Sequence, residues 1–172
     1  MSQHFQNSML GASYREMVRR DLPKVMSLSH DNMANIIFSS WGVELRDEDI
    51  MRFILRPTAL NEVLEKDGEI IGYYSVDIRA DNLLINSIQV QRDFQGQGLG
   101  TDMMKRIAEL AYHNGMNSID LWVQITNRPA IAFYRHRGYR AISRQGNNYL
   151  MRKVLDRGGE GVENPSLSAG SA

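Results

Sequence analysis

Six residues with glycine at every second position stand between an apolar, strand-like run and an amphipathic helix. The run is Leu83 to Val90, and the glycine segment is Gln95-Gly96-Gln97-Gly98-Leu99-Gly100. Glycine permits positive φ and close approach of a ligand to the backbone. The first amides of a helix have no intrahelical partner, and its dipole favours negative charge there. The segment therefore predicts a phosphate-binding loop, although a tight turn that only starts a helix explains Gly96 and Gly98 about as well.

The spacing of these glycines excludes two common nucleotide-binding loops. A Walker A loop needs Lys after its last glycine, and Thr101 stands there. A dinucleotide fingerprint needs G-x-G-x-x-G, whereas this segment is G-x-G-x-G. A dinucleotide-binding fold also begins with alternating strands and helices, which the three consecutive strands predicted upstream contradict.

Hydrophobic periodicity along the chain predicts the element order β-α-α-β-β-β-α-β-α-β-β. Asp21 and Asp47 are expected to cap the first two helices, with residues 39–44 as the loop between them. Asp67-Gly68 predicts a hairpin turn, and Asn114-Gly115 predicts the end of the third helix. The expected fold class is α+β, with a single central sheet of about seven strands.

The composition limits the kinds of partner and site. The 20 basic and 20 acidic residues give a net charge of zero, which argues against a nucleic-acid or anionic-membrane partner. With no cysteine, disulfides, thiolate zinc sites and thiol nucleophiles are excluded. The 4 histidines show no metal-ligand spacing, so no metal is expected.

The length of 172 residues suits one domain. The polar first dozen residues and the Gly- and Ser-rich last stretch predict flexible ends at 1–12 and 156–172, around a folded domain at 13–155. No apolar run approaches the roughly 20 residues of a membrane span. We therefore expect a soluble, cytoplasmic protein.

Two segments resemble the motifs of one superfamily. Residues 95–100, preceded by Ile88-Gln89-Val90, fit R/Q-x-x-G-x-G/A, which is motif A of the GNAT superfamily of N-acetyltransferases. Residues 127–139 are similar to its motif B, N-x-x-A-x-x-F-Y-x-x-x-G-F/Y. The two motifs stand in the family order. The resemblance covers about Ser13 to Val154, and its motifs are nearest to those of N-terminal and ribosomal-protein acetyltransferases.

The resemblance implies the GNAT fold, with the sheet splayed between its fourth and fifth strands, and acetyl-CoA as co-substrate. It assigns the coenzyme A pyrophosphate to the backbone of Gln95, Gly96, Gln97, Gly98, Leu99, Gly100 and Thr101. The backbone of Ile88, Gln89 and Val90 would pair with the pantetheine arm as an added strand does, with one amide stabilising the oxyanion of acyl transfer. Asn127, Ala130 and Phe133 would also contact the cofactor. From the residues alone, Asn127 is equally a helix N-cap and Phe133 a core residue.

Tyr134 is the catalytic residue that the resemblance implies. A thiol titrates near about 8.5 and a phenol near about 10, so a positioned tyrosine can protonate the departing coenzyme A thiolate. Ribosomal-protein N-terminal acetyltransferases carry Glu on the strand before motif B, and Trp122 stands at that position here. The resemblance therefore identifies no general base in this sequence.

The sequence thus predicts an N-acetyltransferase that moves acetyl from acetyl-CoA to a primary amine by direct attack in a ternary complex. The acceptor is a peptide N-terminus or another amine, including a small molecule. One alternative is a non-catalytic acetyl-CoA-binding regulatory module of the same fold, and another is a phosphate-binding α/β protein unrelated to acyl transfer. The protein is expected to be a monomer, or a homodimer joined through the last hairpin, Tyr139 to Val154.

Overall fold

The computed structural model describes residues 9–156, so most of the two ends expected to be flexible lie outside the described residues. The four helices are α1 (Leu22–Trp41), α2 (Asp47–Ile54), α3 (Leu99–His113) and α4 (Arg128–Arg135). The seven strands are β1 (Ser13–Glu16), β2 (Ala59–Lys66), β3 (Glu69–Ile78), β4 (Asn82–Val90), β5 (Ser118–Gln124), β6 (Arg140–Gln145) and β7 (Asn148–Val154). The predicted element order is confirmed.

All seven strands form one sheet in the order β1-β2-β3-β4-β5-β7-β6. Every pair in it is antiparallel except β4 and β5, which run parallel. The connection between these two strands passes through α3, because parallel neighbours need a crossover. The expected α+β class with a single seven-stranded sheet is therefore confirmed.

Helices cover both faces of the sheet. On one face, α3 buries Leu99, Met103 and Ile107 in the larger apolar cluster of the molecule. On the other, α1 and α2 bury Val25, Leu28, Ile50 and Ile54 in a second cluster. Within residues 9–156, no helix is both long enough and apolar enough to cross a membrane.

The beginnings of α1 and α2 differ from the prediction. Asp21 does not cap α1 with its side chain; its carboxylate instead accepts hydrogen bonds from the Arg15 guanidinium at 2.7 and 3.0 Å. Asp47 lies inside α2, and Asp49 accepts a hydrogen bond from the backbone N–H of Arg46, the residue before the helix. Asp21 therefore stands at the predicted N-cap position, but Arg15 occupies its carboxylate. The prediction for Asp47 was wrong, because the helix begins one residue earlier and Asp49 makes the capping contact.

The predicted loop at 39–44 is also shorter than expected. Helix α1 continues through Trp41 and ends at Gly42, which has φ +67°. The end of the helix contacts the turn between β6 and β7, where the Asn147 side chain donates to the Ser40 carbonyl at 2.6 Å. These long-range contacts extend the helix beyond the point that local sequence indicates.

Candidate active site

A fork between β4 and β5 forms a large cleft. The parallel pairing ends at Ile85 and Leu121, although β4 continues to Val90 and β5 to Gln124. The splay predicted between the fourth and fifth strands is therefore present. The two diverging strands, the start of α3, one side of α4 and part of α1 enclose a volume of about 700 Å³.

A β-bulge lies where the strands diverge. The β3–β4 register passes from Ser75 opposite Ser87 to Val76 opposite Ile85, which leaves Asn86 as the extra residue. Asn86 lines the cleft, and its buried Nδ2 has no hydrogen-bond partner among residues 9–156. A buried donor without a partner is costly, so this atom suits a ligand that brings a carbonyl oxygen.

The glycine segment has the conformation that its sequence predicts. Gly96 and Gly98 have φ +75° and +86°, and both line the cleft. In the described chain, the amides of residues 96–101 donate to no backbone carbonyl. Gly100 instead packs beside α4, because a Cβ on it would lie 3.4 Å from the Phe133 ring. The start of α3 therefore offers free amides to an anion while α4 packs closely against it.

Side chains from two elements fix the end of β4. Asn32 of α1 and Gln95 both donate to the Val90 carbonyl, each at 2.9 Å. Asn32 also donates to the side-chain oxygen of Gln89 at 3.1 Å. The Gln95 side chain is thus occupied within the protein. What the glycine segment offers a ligand is therefore its backbone.

Helix α4 presents one face to the cleft. Asn127 precedes the helix, and its side-chain oxygen accepts from the Ala130 N–H at 3.4 Å, which is a capping contact. Phe133 packs against the apolar cluster and also lines the cleft. Asn127 therefore caps the helix and Phe133 packs in the core, and both also line the cleft.

Tyr134 is half-buried on the same face of α4. Its ring packs edge-on against Phe133 and Tyr139, with centroid distances of 5.4 and 5.8 Å. Burial raises the pKa of the Tyr134 phenol to about 12, and the positive charge of Arg137 opposes that shift. The phenol is therefore protonated throughout the neutral range, with its side chain lining the cleft.

Arg137 is a cation in this wall that the sequence analysis did not select. Its guanidinium donates to the Phe133 carbonyl at 2.7 Å and to the Thr101 hydroxyl. Desolvation lowers the pKa of Arg137, and its buried Nε–H has no partner among the described residues. Arg137 stands four residues after Phe133, just beyond the end of α4, and this i to i+4 spacing is the signal that indicates it.

Most of the predicted site residues meet in the cleft. They are Ile88, Gln89, Val90, Gln95, Gly96, Gly98, Gly100, Thr101, Asn127, Ala130, Phe133 and Tyr134. The side chains of the other two lie elsewhere: Leu99 is 1% exposed in the core, and Gln97 donates to the Asp93 carbonyl at 3.2 Å. Within residues 9–156, no group of three His, Asp or Glu side chains is placed to hold a metal ion.

Comparison with known proteins identifies the family. The model of the acetyltransferase (GNAT) family matches residues 24–139, more than half of the chain. The chain belongs to the GNAT acetyltransferase family. It is therefore an acetyl-CoA-dependent N-acetyltransferase, as the two motifs imply, and its substrates are acetyl-CoA and an amine.

Several GNAT relatives share the sequence pattern. A Bacillus subtilis (strain 168) protein, provisionally named a ribosomal protein bS18-alanine N-acetyltransferase, is 27% identical over 138 residues, which are 80% of this chain and 87% of that protein. The ribosomal protein bS18-alanine N-acetyltransferase of Escherichia coli (strain K12) is 27% identical over 90 residues, 52% of this chain and 61% of its own. Streptothricin acetyltransferase of Streptomyces lavendulae is 31% identical over 102 residues, 57% of this chain and 49% of its own.

Solved GNAT structures share the fold. The ribosomal-protein-S18-alanine N-acetyltransferase of Escherichia coli superposes with a TM-score of 0.70 at 19% identity, covering 87% of this chain and 97% of that one. The PaiA N-acetyltransferase of Thermoplasma acidophilum, solved in complex with coenzyme A, gives a TM-score of 0.70 at 15% identity, covering 85% and 100%. At these identities the likeness concerns the fold alone.

Proposed function

We propose that this GNAT protein acetylates the α-amino group of a protein or peptide N-terminus, by direct attack in a ternary complex. The observation that carries the proposal is Tyr134, a protonated phenol on α4 that lines the fork between β4 and β5. The acceptor class is supported by the Bacillus subtilis and Escherichia coli relatives, both named as alanine N-acetyltransferases of ribosomal protein bS18. We propose that this protein acts on the same acceptor, or on another protein N-terminus of the same kind.

The cleft suits acetyl-CoA in shape and polarity. In the proposal, the free amides of residues 96–101 bind the pyrophosphate at the positive end of α3. The edge of β4 from Asn86 to Val90, which β5 leaves unpaired, receives the amides of the pantetheine arm as an added strand. Asn86 offers its free Nδ2 to a carbonyl of that arm. When bound, the cofactor supplies the reactive thioester.

Arg137 adds a positive charge beside the glycine segment. Its guanidinium already contacts Thr101, the residue that follows this segment, and it keeps one buried N–H free. A partly buried cation is stabilised by an anion brought into its reach. We therefore propose that Arg137 binds a phosphate group of coenzyme A, together with the amides at the start of α3.

Tyr134 acts at the leaving sulfur in this proposal. As the neutral amine nitrogen bonds to the carbonyl carbon and the carbon–sulfur bond breaks, Tyr134 gives its proton to the sulfur and the nitrogen releases one proton to solvent. The phenol then regains a proton from solvent. Because its pKa lies near 12, the group holds the proton until the thiolate forms.

The chemistry of the acceptor also favours an α-amine. Only a neutral amine attacks, and at pH 7.5 about a quarter of an α-amine with pKa near 8 is neutral, against about one in a thousand for a lysine side chain. The described residues that line the cleft include Arg92 and Arg137 but no carboxylate. This lining is less suited to polycationic acceptors such as polyamines, because like charges repel.

Thiol release from acetyl-CoA tests the proposal. Because the protein has no cysteine, every thiol detected comes from the cofactor. The acceptors compared are peptides with a free N-terminus, N-terminally blocked lysine peptides, spermidine and an aminoglycoside. We expect release with the free N-termini, most strongly when the first residue is alanine. Release only with an aminoglycoside would overturn the acceptor class, and binding of acetyl-CoA without release for any acceptor would favour the non-catalytic module.

A further inference from the structure

The zero net charge of the chain hides an uneven distribution. Between Arg128 and Leu155 there are seven arginine and lysine residues and no aspartate or glutamate. This stretch contains α4 and the strands β6 and β7, which pair with each other at one end of the sheet. The expectation that no nucleic acid binds rests on an average over the chain. The local charge at this end of the molecule is positive and differs from that average.

A surface hollow lies on the side of α4 that faces away from the acetyl-CoA cleft. It encloses about 600 Å³ and is lined by Arg128, Ile131, Ala132, Arg135, His136 and Tyr149. Arg128, Arg135 and His136 are exposed, and in the described chain none of them forms an ion pair. We call this hollow, with its rim, the α4 basic hollow.

A fourth basic residue, Arg144, stands on the strand beside the hollow, with its Nε–H donating to the Gly146 carbonyl at 3.0 Å and the rest of its guanidinium without a hydrogen-bond partner among the described residues. Arg144 of β6 lies opposite Tyr149 of β7 in the antiparallel register, so the two side chains project from the same face of the sheet. Strand β6 is the edge of the sheet, and all six of its residues are exposed. A large ligand can therefore reach the hollow from the open edge of the sheet.

The floor of the hollow is apolar and held by the core. Ile131 is 8% exposed and belongs to the larger apolar cluster. Tyr149 is half-buried and packs against that cluster, so its ring is fixed while part of it remains accessible. An aromatic floor within a ring of arginines is suited to a ligand that combines flat rings with regularly spaced negative charges.

We propose that the α4 basic hollow binds single-stranded nucleic acid, with the phosphates held by Arg128, Arg135 and Arg144 and one base stacked on Tyr149. Guanidinium groups bind phosphate oxygens in a bidentate manner. Stacking on an aromatic ring accepts any base, so binding is expected to depend little on sequence. An acidic protein segment would use the arginines, but a nucleic acid brings both a phosphate and a stackable base with every nucleotide, which is why the nucleic acid is favoured.

The hollow and the acetyl-CoA cleft are separate sites on one helix. Ala130, Phe133 and Tyr134 face the cleft, whereas Arg128, Ala132 and Arg135 face the hollow. None of the three arginines assigned to the hollow lines the cleft. Loss of nucleic-acid binding should therefore leave acetyl transfer to a short peptide unchanged, and the inference does not depend on the proposed acceptor.

Fluorescence anisotropy with labelled 12-nucleotide RNA and DNA strands of mixed sequence tests the proposal on the full chain. The triple variant Arg128→Gln, Arg135→Gln, Arg144→Gln removes the phosphate contacts. Arg19→Gln, Arg20→Gln, Arg79→Gln is the matched control, because it removes equal charge from exposed residues elsewhere. Tyr149→Leu tests stacking while keeping an apolar side chain on the floor. Circular dichroism and thiol release with a short peptide show that each variant is folded and active.

We expect the hollow variant to weaken binding at least tenfold at 50 mM salt and the control to change it less than threefold. The slope of log affinity against log salt should fall by about 2 for three lost phosphate contacts to a single strand. Tyr149→Leu should weaken binding roughly fivefold or more. The RNA and DNA strands together show whether the sugar matters. The proposal is overturned if neither strand binds, if both triple variants lose affinity equally, or if polyglutamate of equal charge binds more tightly than either strand.

Discussion

The guanidinium of Arg137 lies 3.5 Å from the centre of the Phe133 ring. The same ring lies close to Gly100, where a Cβ would approach it to 3.4 Å. A cation stacked on an aromatic ring keeps its edge available for hydrogen bonds. This stacking holds Arg137 beside Thr101, at the positive end of α3, where the proposed phosphate site lies.

Replacement of Arg137 should weaken coenzyme A binding without abolishing the fold. A hydrogen bond to a charged group contributes about 1.5–3 kcal/mol, so Arg137→Gln is expected to raise the Kd for coenzyme A roughly 10- to 100-fold. Isothermal titration calorimetry measures this directly. The control is Arg135→Gln, two residues away on the side of α4 that faces the hollow. An unchanged Kd in Arg137→Gln, with normal binding by the unmodified protein, would contradict the proposed phosphate contact.

Removal of the Tyr134 hydroxyl should slow the chemical step. A positioned general acid contributes roughly 10²–10⁴-fold to the rate, so Tyr134→Phe is expected to lower kcat at least 100-fold. The KM for acetyl-CoA should change little, because the ring and its contacts with Phe133 and Tyr139 remain. Tyr139→Phe is the control, since the Tyr139 side chain is 2% exposed in the core. Equal losses in the two variants would argue against a specific role for the Tyr134 proton.

The pH dependence of kcat reports the state of the same proton. Burial raises the pKa of Tyr134 to about 12. The phenol therefore stays protonated as pH rises from 7 to 10, and it loses its proton only near pH 12. We therefore expect no alkaline decline of kcat between pH 7 and 10, after the rate without enzyme is subtracted. A decline with an apparent pKa near 10 that disappears in Tyr134→Phe would show that the phenol titrates in its ordinary range.

Gly72 of β3 should tolerate no side chain. A Cβ there would lie 2.6 Å from Cε of Met103 and 2.8 Å from the carbonyl oxygen of Gln89. The methionine can move but the strand backbone cannot easily do so, and overpacking costs about 1–3 kcal/mol. Gly72→Ala should therefore lower the free energy of unfolding in urea by that amount. Gly68→Asn, in open space at φ +80°, should lower it by less than about 1 kcal/mol, because Asn tolerates the left-handed region better than other side chains do.

The order of elements was predictable because each has a local periodic signal. The alternation of Ile119, Leu121 and Val123 predicts β5, and these side chains are all buried. The positive φ values of Gly96 and Gly98 were also predictable, because glycines at alternate positions before a helix indicate a loop that needs them. Helix boundaries were harder to predict: at Asp21 the carboxylate is taken by Arg15, and at Trp41 the helix is extended by contact with the β6–β7 turn.

The site was predictable where it lies in a contiguous motif. Arg137, inside the second motif, was missed because the motif specifies no residue there. The other residues missed by the sequence analysis come from distant elements or from irregular backbone. Asn32 reaches the Val90 carbonyl because α1 packs across β3 and β4, and nothing near Asn32 in the sequence signals that contact. Asn86 lies at a bulge, which depends on the pairing between two strands and not on local periodicity. The resemblance to GNAT motifs located the fork but could not supply these contacts.

The most direct test of the account uses two peptides that differ only in which amine is free. One has a free N-terminal alanine and no lysine. The other has the same sequence with the N-terminus blocked and one lysine added near it. Each is incubated with acetyl-CoA and the protein, and mass spectrometry locates the acetyl group. The account predicts rapid acetylation of the first peptide at its α-amine and at most a trace on the second. Equal or faster acetylation of the lysine peptide would contradict the proposed function.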